Sequence, residues 1–313
     1  MRVLVTGANG FLGSNIVAAC LEAGIDVAAV DLTFDNQAFA QFAGDNLQLI
    51  ESNCVEMPAV AADVLIHAAF ITATPEERDE APESNLRANI EPMLSVMEYA
   101  RHHGIGREIY VSSAAVHRCT PESTIDESLP QRPLGVYAVA KTLMEQLVET
   151  MRRVHGRDCS CVRPGSIYGP YEYRRSTRPR LSKVALMMMS ALSRGEIVVD
   201  QPDERGEWTY APDIGRALVA LLKADSLNYA LYQVASGDVI SNFELAQRIA
   251  SLMDGVTVRI SESQAQEVTQ RKEPRILDTS RLAQDVEFSD WTKMSELTLR
   301  QTLDSISRRL TDA

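Results

Sequence analysis

Cysteine is scarce and unpatterned in this chain: Cys20, Cys54, Cys119, Cys159 and Cys161 make five, an odd number without framework spacing. That excludes a small disulfide-stapled fold and points to a reducing compartment. Cys159-x-Cys161 has no second cysteine pair to complete a zinc site, so beside His155 it reads as two buried strand thiols and no metal is expected. Long apolar runs are missing too. The longest, 58–73, is broken by Asp63 and His67 and is too short to span a bilayer. Positive charge is in deficit: 31 Lys and Arg face 43 Asp and Glu, for a net charge of −12. Such a balance argues against nucleic acid and against an anionic membrane surface as partners. The first residues already read as structure, which leaves no room for a signal peptide, and a soluble cytoplasmic protein is the expectation.

What is present is the composition of an ordinary globular protein of 313 residues, 45% hydrophobic and 24% charged. That length corresponds to one large or two modest domains. Short apolar runs at 3–5, 27–30, 47–50, 63–66, 109–111 and 159–163 alternate with helical patterns at 13–23, 85–103 and 136–155. Repeated β-α-β units with right-handed crossovers predict an α/β fold, a Rossmann-like doubly wound parallel sheet. After Pro164 the rhythm changes. Helices are expected near 184–192, 212–222 and 243–253, and a strand near 231–235. The reading is a first unit over 1–165, with a return segment near 206–237, and a smaller C-terminal substrate-binding lid over 166–313.

The first apolar run leads into Thr6-Gly7-Ala8-Asn9-Gly10-Phe11-Leu12-Gly13, with glycines three apart. A side chain at Gly7 would obstruct the turn, one at Gly10 would hold a pyrophosphate off the backbone, and one at Gly13 would push helix from strand. The N–H groups of the following helix start, at Phe11, Leu12 and Gly13, then face an anion. Asp31 ends the second strand, near the ~20 residues expected beyond the loop, where a carboxylate accepts ribose hydroxyls. Leu32 and Thr33 bring no cation to host a 2′-phosphate, so NAD is expected over NADP. Residues 1–165 are accordingly expected to bind NAD.

Tyr137 and Lys141 stand four apart at the start of a helix, on one face. A nearby ammonium and a positive nicotinamide ring favour phenolate over phenol, and this makes Tyr137 a usable base. Ser113 follows the fifth strand, at the end where ligands sit in such sheets, and can hold a substrate oxygen.

Taken together, these stretches resemble the extended short-chain dehydrogenase/reductases of the NAD-dependent epimerase/dehydratase family. The similarity also rests on Asp63-Val64-Leu65-Ile66-His67-Ala68-Ala69, on Val111-Ser112-Ser113-Ala114-Ala115-Val116 and on Arg163-Pro164-Gly165-Ser166-Ile167-Tyr168-Gly169-Pro170. The resemblance implies Ser113, Tyr137 and Lys141 as the catalytic group. It implies that Asn53 and Cys54 border the adenine, that Ala68, Ala69 and Pro164 line the cofactor channel, and that Asn89 supports the site from its helix. Thr72, Ser113, Ala114 and Ser166 are the implied substrate-side positions, and a homodimer packed through the two long helices is implied.

Three departures from the family pattern matter. His117 stands where a tyrosine commonly closes the serine segment, and reads as a pocket-wall or structural residue. Ala114 and Ala115 replace the Asp-Glu of the dehydratases, so elimination chemistry is not expected. Ser166 replaces a common Asn, and Gly206 an Arg that holds a diphosphate, with Arg205 one position early.

Between Tyr173 and Gly195 the chain carries Arg174, Arg175, Arg178, Arg180, Lys183 and Arg194 without one Asp or Glu. Arginine forks suit carboxylate or phosphate. Arg174, Arg175 and Arg178 are therefore expected to bind an anionic substrate, the alternative being a solvated loop neutralised by acids elsewhere. Trp208 and Tyr210 read as core or as pocket wall. The expected function is NAD-dependent hydride transfer at a secondary alcohol or ketone of a sugar-like, anionic substrate, by a sugar epimerase or a sugar or sugar-acid dehydrogenase. A nucleotide-sugar 4-epimerase is the alternative, and a non-catalytic NAD-binding sensor or scaffold is the rival from another class.

Overall fold

The computed structural model describes residues 1–34, 39–42, 44–261, 274–286 and 288–311. Seven strands form the central sheet: β1 (Arg2–Thr6), β2 (Asp26–Asp31), β3 (Leu47–Glu51), β4 (Val64–His67), β5 (Arg107–Val111), β6 (Cys159–Pro164) and β7 (Leu231–Val234). All neighbours pair in parallel, in the order β3-β2-β1-β4-β5-β6-β7. The strand order reverses between β1 and β4, and in such sheets the crevice at that switch point takes the ligand.

Alternation along β1 sends Val3 and Val5 to one apolar cluster and Leu4 to another, so both faces of the sheet are covered. On the first face lie α1 (Phe11–Glu22) and the helix Ala211–Lys223. They approach closely, since a Cβ on Gly215 would stand 2.7 Å from the Asn15 carbonyl oxygen. On the second face lie α2 (Pro82–His102) and α3 (Val136–His155), which bury Met93, Val96, Met144 and Val148. Each such side chain contributes about 1.5–3 kcal/mol by leaving water. A Gly156 in left-handed conformation ends α3 and satisfies its last carbonyls.

The expected return of the later sequence to the sheet occurs as the helix Ala211–Lys223 and β7. A second return was not foreseen: Leu282, from the helix Ser280–Val286, is fully buried in the first-face cluster with Trp291 packed against it. A third cluster gathers α4 (Lys183–Arg194) with Ile197, Ile240, Leu245, Leu299 and Leu303. Trp208 and Tyr210 are buried in it and belong to its core. Two helix boundaries differ from expectation by three residues. α2 starts at Pro82, whose ring fits the first helical position, and the helix expected over 243–253 runs Asn242–Ala250 and gives way to turns. Among the described residues, four two-stranded sheets, such as Glu196–Val199 with Thr257–Ile260, were too short or too mixed in pattern to be expected.

Candidate active site

The glycine turn closes on itself and on β4. The Gly10 N–H donates to the Gly7 carbonyl at 3.0 Å, and Gly7 has φ +71°, where a side chain is strained. A Cβ on Gly7 would stand 2.4 Å from the Ala69 nitrogen, and one on Gly13 only 1.9 Å from the Gly7 carbonyl oxygen. A Cβ on Gly10 meets that carbonyl at 3.0 Å, a milder conflict. Ala68 and Ala69 thus wall the turn directly, with the Ala68 N–H donating to Thr6 at 3.0 Å. Helix α1 opens at Gly10 with no side-chain cap and no acid in its first turn, which leaves first-turn N–H groups for a phosphate.

Asp31 lies at the far side of the turn. Its carboxylate accepts from the Asn9 and Leu32 N–H groups, each at 2.8 Å, while burial pushes its pKa above the usual value. Cys54 borders it and hydrogen-bonds Thr6; burial and the Asp31 charge raise that thiol to about 12. Asn53 is occupied locally: its side-chain oxygen caps the next turn by accepting from the Val55 and Glu56 N–H groups. Asn89 holds the 70–72 loop from α2, its amide oxygen accepting from Ile71 at 2.7 Å. Pro164 is buried at the end of β6.

At the ends of β5 and β6, Ser113, Tyr137 and Lys141 come together. Ser113 hydrogen-bonds the Tyr137 phenol, and its oxygen accepts the Ala115 N–H at 3.2 Å. Burial raises the phenol above its ordinary pKa; the Ser113 bond and the positive charge of Arg178 act against that rise. The buried Lys141 amine donates to the Val111 carbonyl at 2.5 Å and lies 5.8 Å from the Tyr137 ring centre. Burial pushes this amine down to about 7, with Cys161 and Glu145 acting the other way. Phe70 was not singled out from the sequence, yet its ring lies 3.4 Å from the Lys141 nitrogen and packs edge-on against Tyr137. Its place directly after Ala69 was the available signal.

Beneath this group runs a buried network that sequence reading also missed. Glu145, one turn beyond Lys141, accepts from Arg163 at 3.1 and 2.5 Å and also from Ser112 and Gln131. Arg163 in turn donates to His117 Nε2 at 2.8 Å, which leaves Nδ1 as the protonated nitrogen. Burial and the Arg163 charge push His117 down to about 4, and the residue is structural. The thiols of Cys159 and Cys161 are buried in β6, as expected.

A strap over 170–182 crosses the cleft, and it redistributes the basic residues. Arg178 donates to the buried Glu172 at 2.6 Å and its guanidinium lies 5.2 Å from the Phe11 ring centre. Glu77 pairs with Arg180, and Glu204 with Lys183. Three of the six basic residues are therefore neutralised, Arg178 by the nearby Glu172 and Arg180 and Lys183 by acids that folding brings alongside. Arg174 is exposed and turned to the Pro179 carbonyl. Arg175, expected on the substrate side, instead reaches the glycine turn: its Nη2 donates to Asn9 Oδ1 at 3.2 Å, and its charge acts on Asp31. Leu32 and Thr33 bring no cation to Asp31, as expected from the sequence, and the positive charge that acts on it comes from the strap. Thr72 bonds the Thr177 carbonyl through both its N–H, at 2.8 Å, and its hydroxyl. Ala114 and Ala115 form a short helical turn that carries no carboxylate. Ser166 is exposed, Arg205 donates to the Val239 carbonyl, and Gly206 sits against the Trp208 indole.

The pattern of the NAD dependent epimerase/dehydratase family matches residues 3–235. A dTDP-glucose 4,6-dehydratase of Streptomyces niveus is 28% identical over 268 residues, covering 80% of this chain and 76% of the relative. A dTDP-4-dehydro-6-deoxy-D-allose reductase of Streptomyces bikiniensis is 26% identical over 302 residues, 91% of this chain and 90% of the relative. Among solved structures, the UDP-N-acetylglucosamine 4-epimerase from Methanobrevibacter ruminantium superposes with a TM-score of 0.82 at 21% identity, covering 98% of each chain.

Proposed function

The chain belongs to the NAD-dependent epimerase/dehydratase family as an NAD-dependent enzyme of the extended short-chain dehydrogenase/reductase type, and from that premise we propose hydride transfer at a secondary alcohol or ketone of a sugar-like substrate. The observation that carries this reading is the meeting of Tyr137 with Ser113 and Lys141 beside a glycine turn whose walls a single Cβ would breach.

When bound, NAD would supply the acceptor and donor of the hydride; Gly7, Gly10 and Gly13 would give it backbone access and Asp31 would accept from its ribose hydroxyls. Ser113 holds the substrate oxygen. Tyr137 takes the hydroxyl proton as the alcohol is oxidised and returns it on reduction. Lys141 favours the phenolate while it carries its proton, and the Glu145 charge one turn on favours that protonated state. Phe70 shields this proton path from water. Arg178, whose charge acts on Tyr137 while Glu172 pairs with it, is the strap residue proposed to meet an anionic substrate.

With alanines at 114 and 115 there is no carboxylate for elimination, so we favour epimerisation or simple redox over dehydration. The relatives' names favour a nucleotide sugar, the second reading. Free cysteines fit a cytoplasmic setting. Exposed Leu94, Val139 and Leu143 on α2 and α3 support a homodimer through those helices.

The test is incubation of the purified enzyme with panels of nucleotide sugars, free sugars and sugar acids, following isomer composition and absorbance of reduced nicotinamide. Conversion by the native enzyme and its loss in Tyr137→Phe support the reading. Full activity of Tyr137→Phe refutes it.

A further inference from the structure

We propose that the strap hairpin 175–178 is a cofactor latch, in which Arg175 closes over the adenosine-ribose and pyrophosphate half of the bound dinucleotide and slows its release. Arg175 and Arg178 pair across a tight antiparallel turn, the N–H of each donating to the carbonyl of the other at 3.0 and 2.9 Å. Paired residues in such a ladder project from one face. Here one guanidinium goes to Asn9 and the other to Phe11, so the two straddle the glycine turn.

The hairpin is anchored on both sides. The Thr177 carbonyl accepts from the Thr72 and Ala73 N–H groups at 2.8 and 3.1 Å. Buried Glu172 accepts from Arg178 and from the N–H and hydroxyl of Ser182, which caps α4. The strap therefore spans from the lid core to the cleft wall with its tip pinned.

Arg175 has no ion pair among the described residues, whereas Arg178 and Arg180 each have one, and unlike the exposed Arg174 it is part-buried against the glycine turn. Its charge acts on Asp31 from beyond ion-pair distance. Ordering a long cation against one neutral amide gains little by itself. A ribose diol placed between guanidinium and carboxylate satisfies both groups, its hydroxyls donating to the carboxylate and accepting from the guanidinium, while a diphosphate alongside accepts from the guanidinium alone. The inference rests on NAD as the cofactor and is independent of the roles given to Ser113, Tyr137 and Lys141.

Calorimetric titration of cofactor-free enzyme with NAD, ADP-ribose and nicotinamide mononucleotide tests it without any sugar substrate. Arg175→Ala is expected to weaken NAD and ADP-ribose by about tenfold or more, to speed release of bound NAD, and to leave the mononucleotide unchanged. Arg175→Lys should fall between, and serves if the alanine variant fails to fold. Arg194→Ala removes the same charge at the other end of α4 and should bind NAD normally. Native affinity of Arg175→Ala for NAD and ADP-ribose, or equal loss for all three ligands, overturns the latch. Wild-type enzyme that binds neither NAD nor ADP-ribose overturns the cofactor assignment itself.

Discussion

Lys141 donates its amine to the carbonyl of Val111 at 2.5 Å, so a helix residue and the last residue of β5 are held as one unit. Ser113 lies two residues further along that chain segment, and Tyr137 one turn earlier on that helix. One hydrogen bond thereby fixes the spacing of all three groups proposed for catalysis.

Tyr137→Phe removes the phenol and little else. Loss of a positioned general acid/base is expected to lower kcat by about 10²–10⁴-fold while NAD binding stays within a few-fold of native. Steady-state kinetics with the substrate found in the panel, beside NAD calorimetry, checks both halves.

Lys141 has a stability consequence as well. Its folded pKa of about 7 is below the ordinary lysine value, so between those limits the unfolded chain binds more protons than the folded one. The cost of burying it is complete below pH 7 and is relieved as pH rises. Lys141→Met should therefore abolish activity yet raise Tm, with a larger gain at pH 6 than at pH 9. A Tm gain that does not shrink with pH would count against a buried, depressed amine.

The three glycines should rank by the space a Cβ finds. Gly13→Ala and Gly7→Ala force backbone contacts below 3 Å and should abolish NAD binding, whereas Gly10→Ala, at 3.0 Å, should weaken it more mildly. Binding titrations of the three variants give the order directly.

The Glu145–Arg163 pair should be costly to break. Glu145→Ala strands a fully buried guanidinium and is expected to destabilise by about 3–5 kcal/mol in urea unfolding. Arg163→Met leaves the carboxylate uncompensated and should cost a similar amount.

Much of this was legible because it is local. The short continuous apolar runs and the Gly7-Gly10-Gly13 spacing specify strand, turn and helix within a dozen residues, and α3 runs over the expected 136–155. What was illegible depends on partners far apart in sequence. His117 owes its place to Arg163, Arg180 its neutralisation to Glu77, and Arg175 its position to a hairpin pinned on Thr72. Leu282 belongs to a core built mainly from β1, β2, α1 and the helix Ala211–Lys223, all far from it in sequence, and a short helix gives no sign of which surface it covers.

Reversible hydride transfer between substrate and NAD, with Tyr137 as the acid and base, is tested most directly by mixing the NAD-loaded enzyme with a substrate deuterated at the reacting carbon. Transient absorbance of reduced nicotinamide is expected, its appearance slowed by the deuterium and absent in Tyr137→Phe. Product formation at an unchanged rate, with no reduced nicotinamide and no dependence on Tyr137, would contradict it.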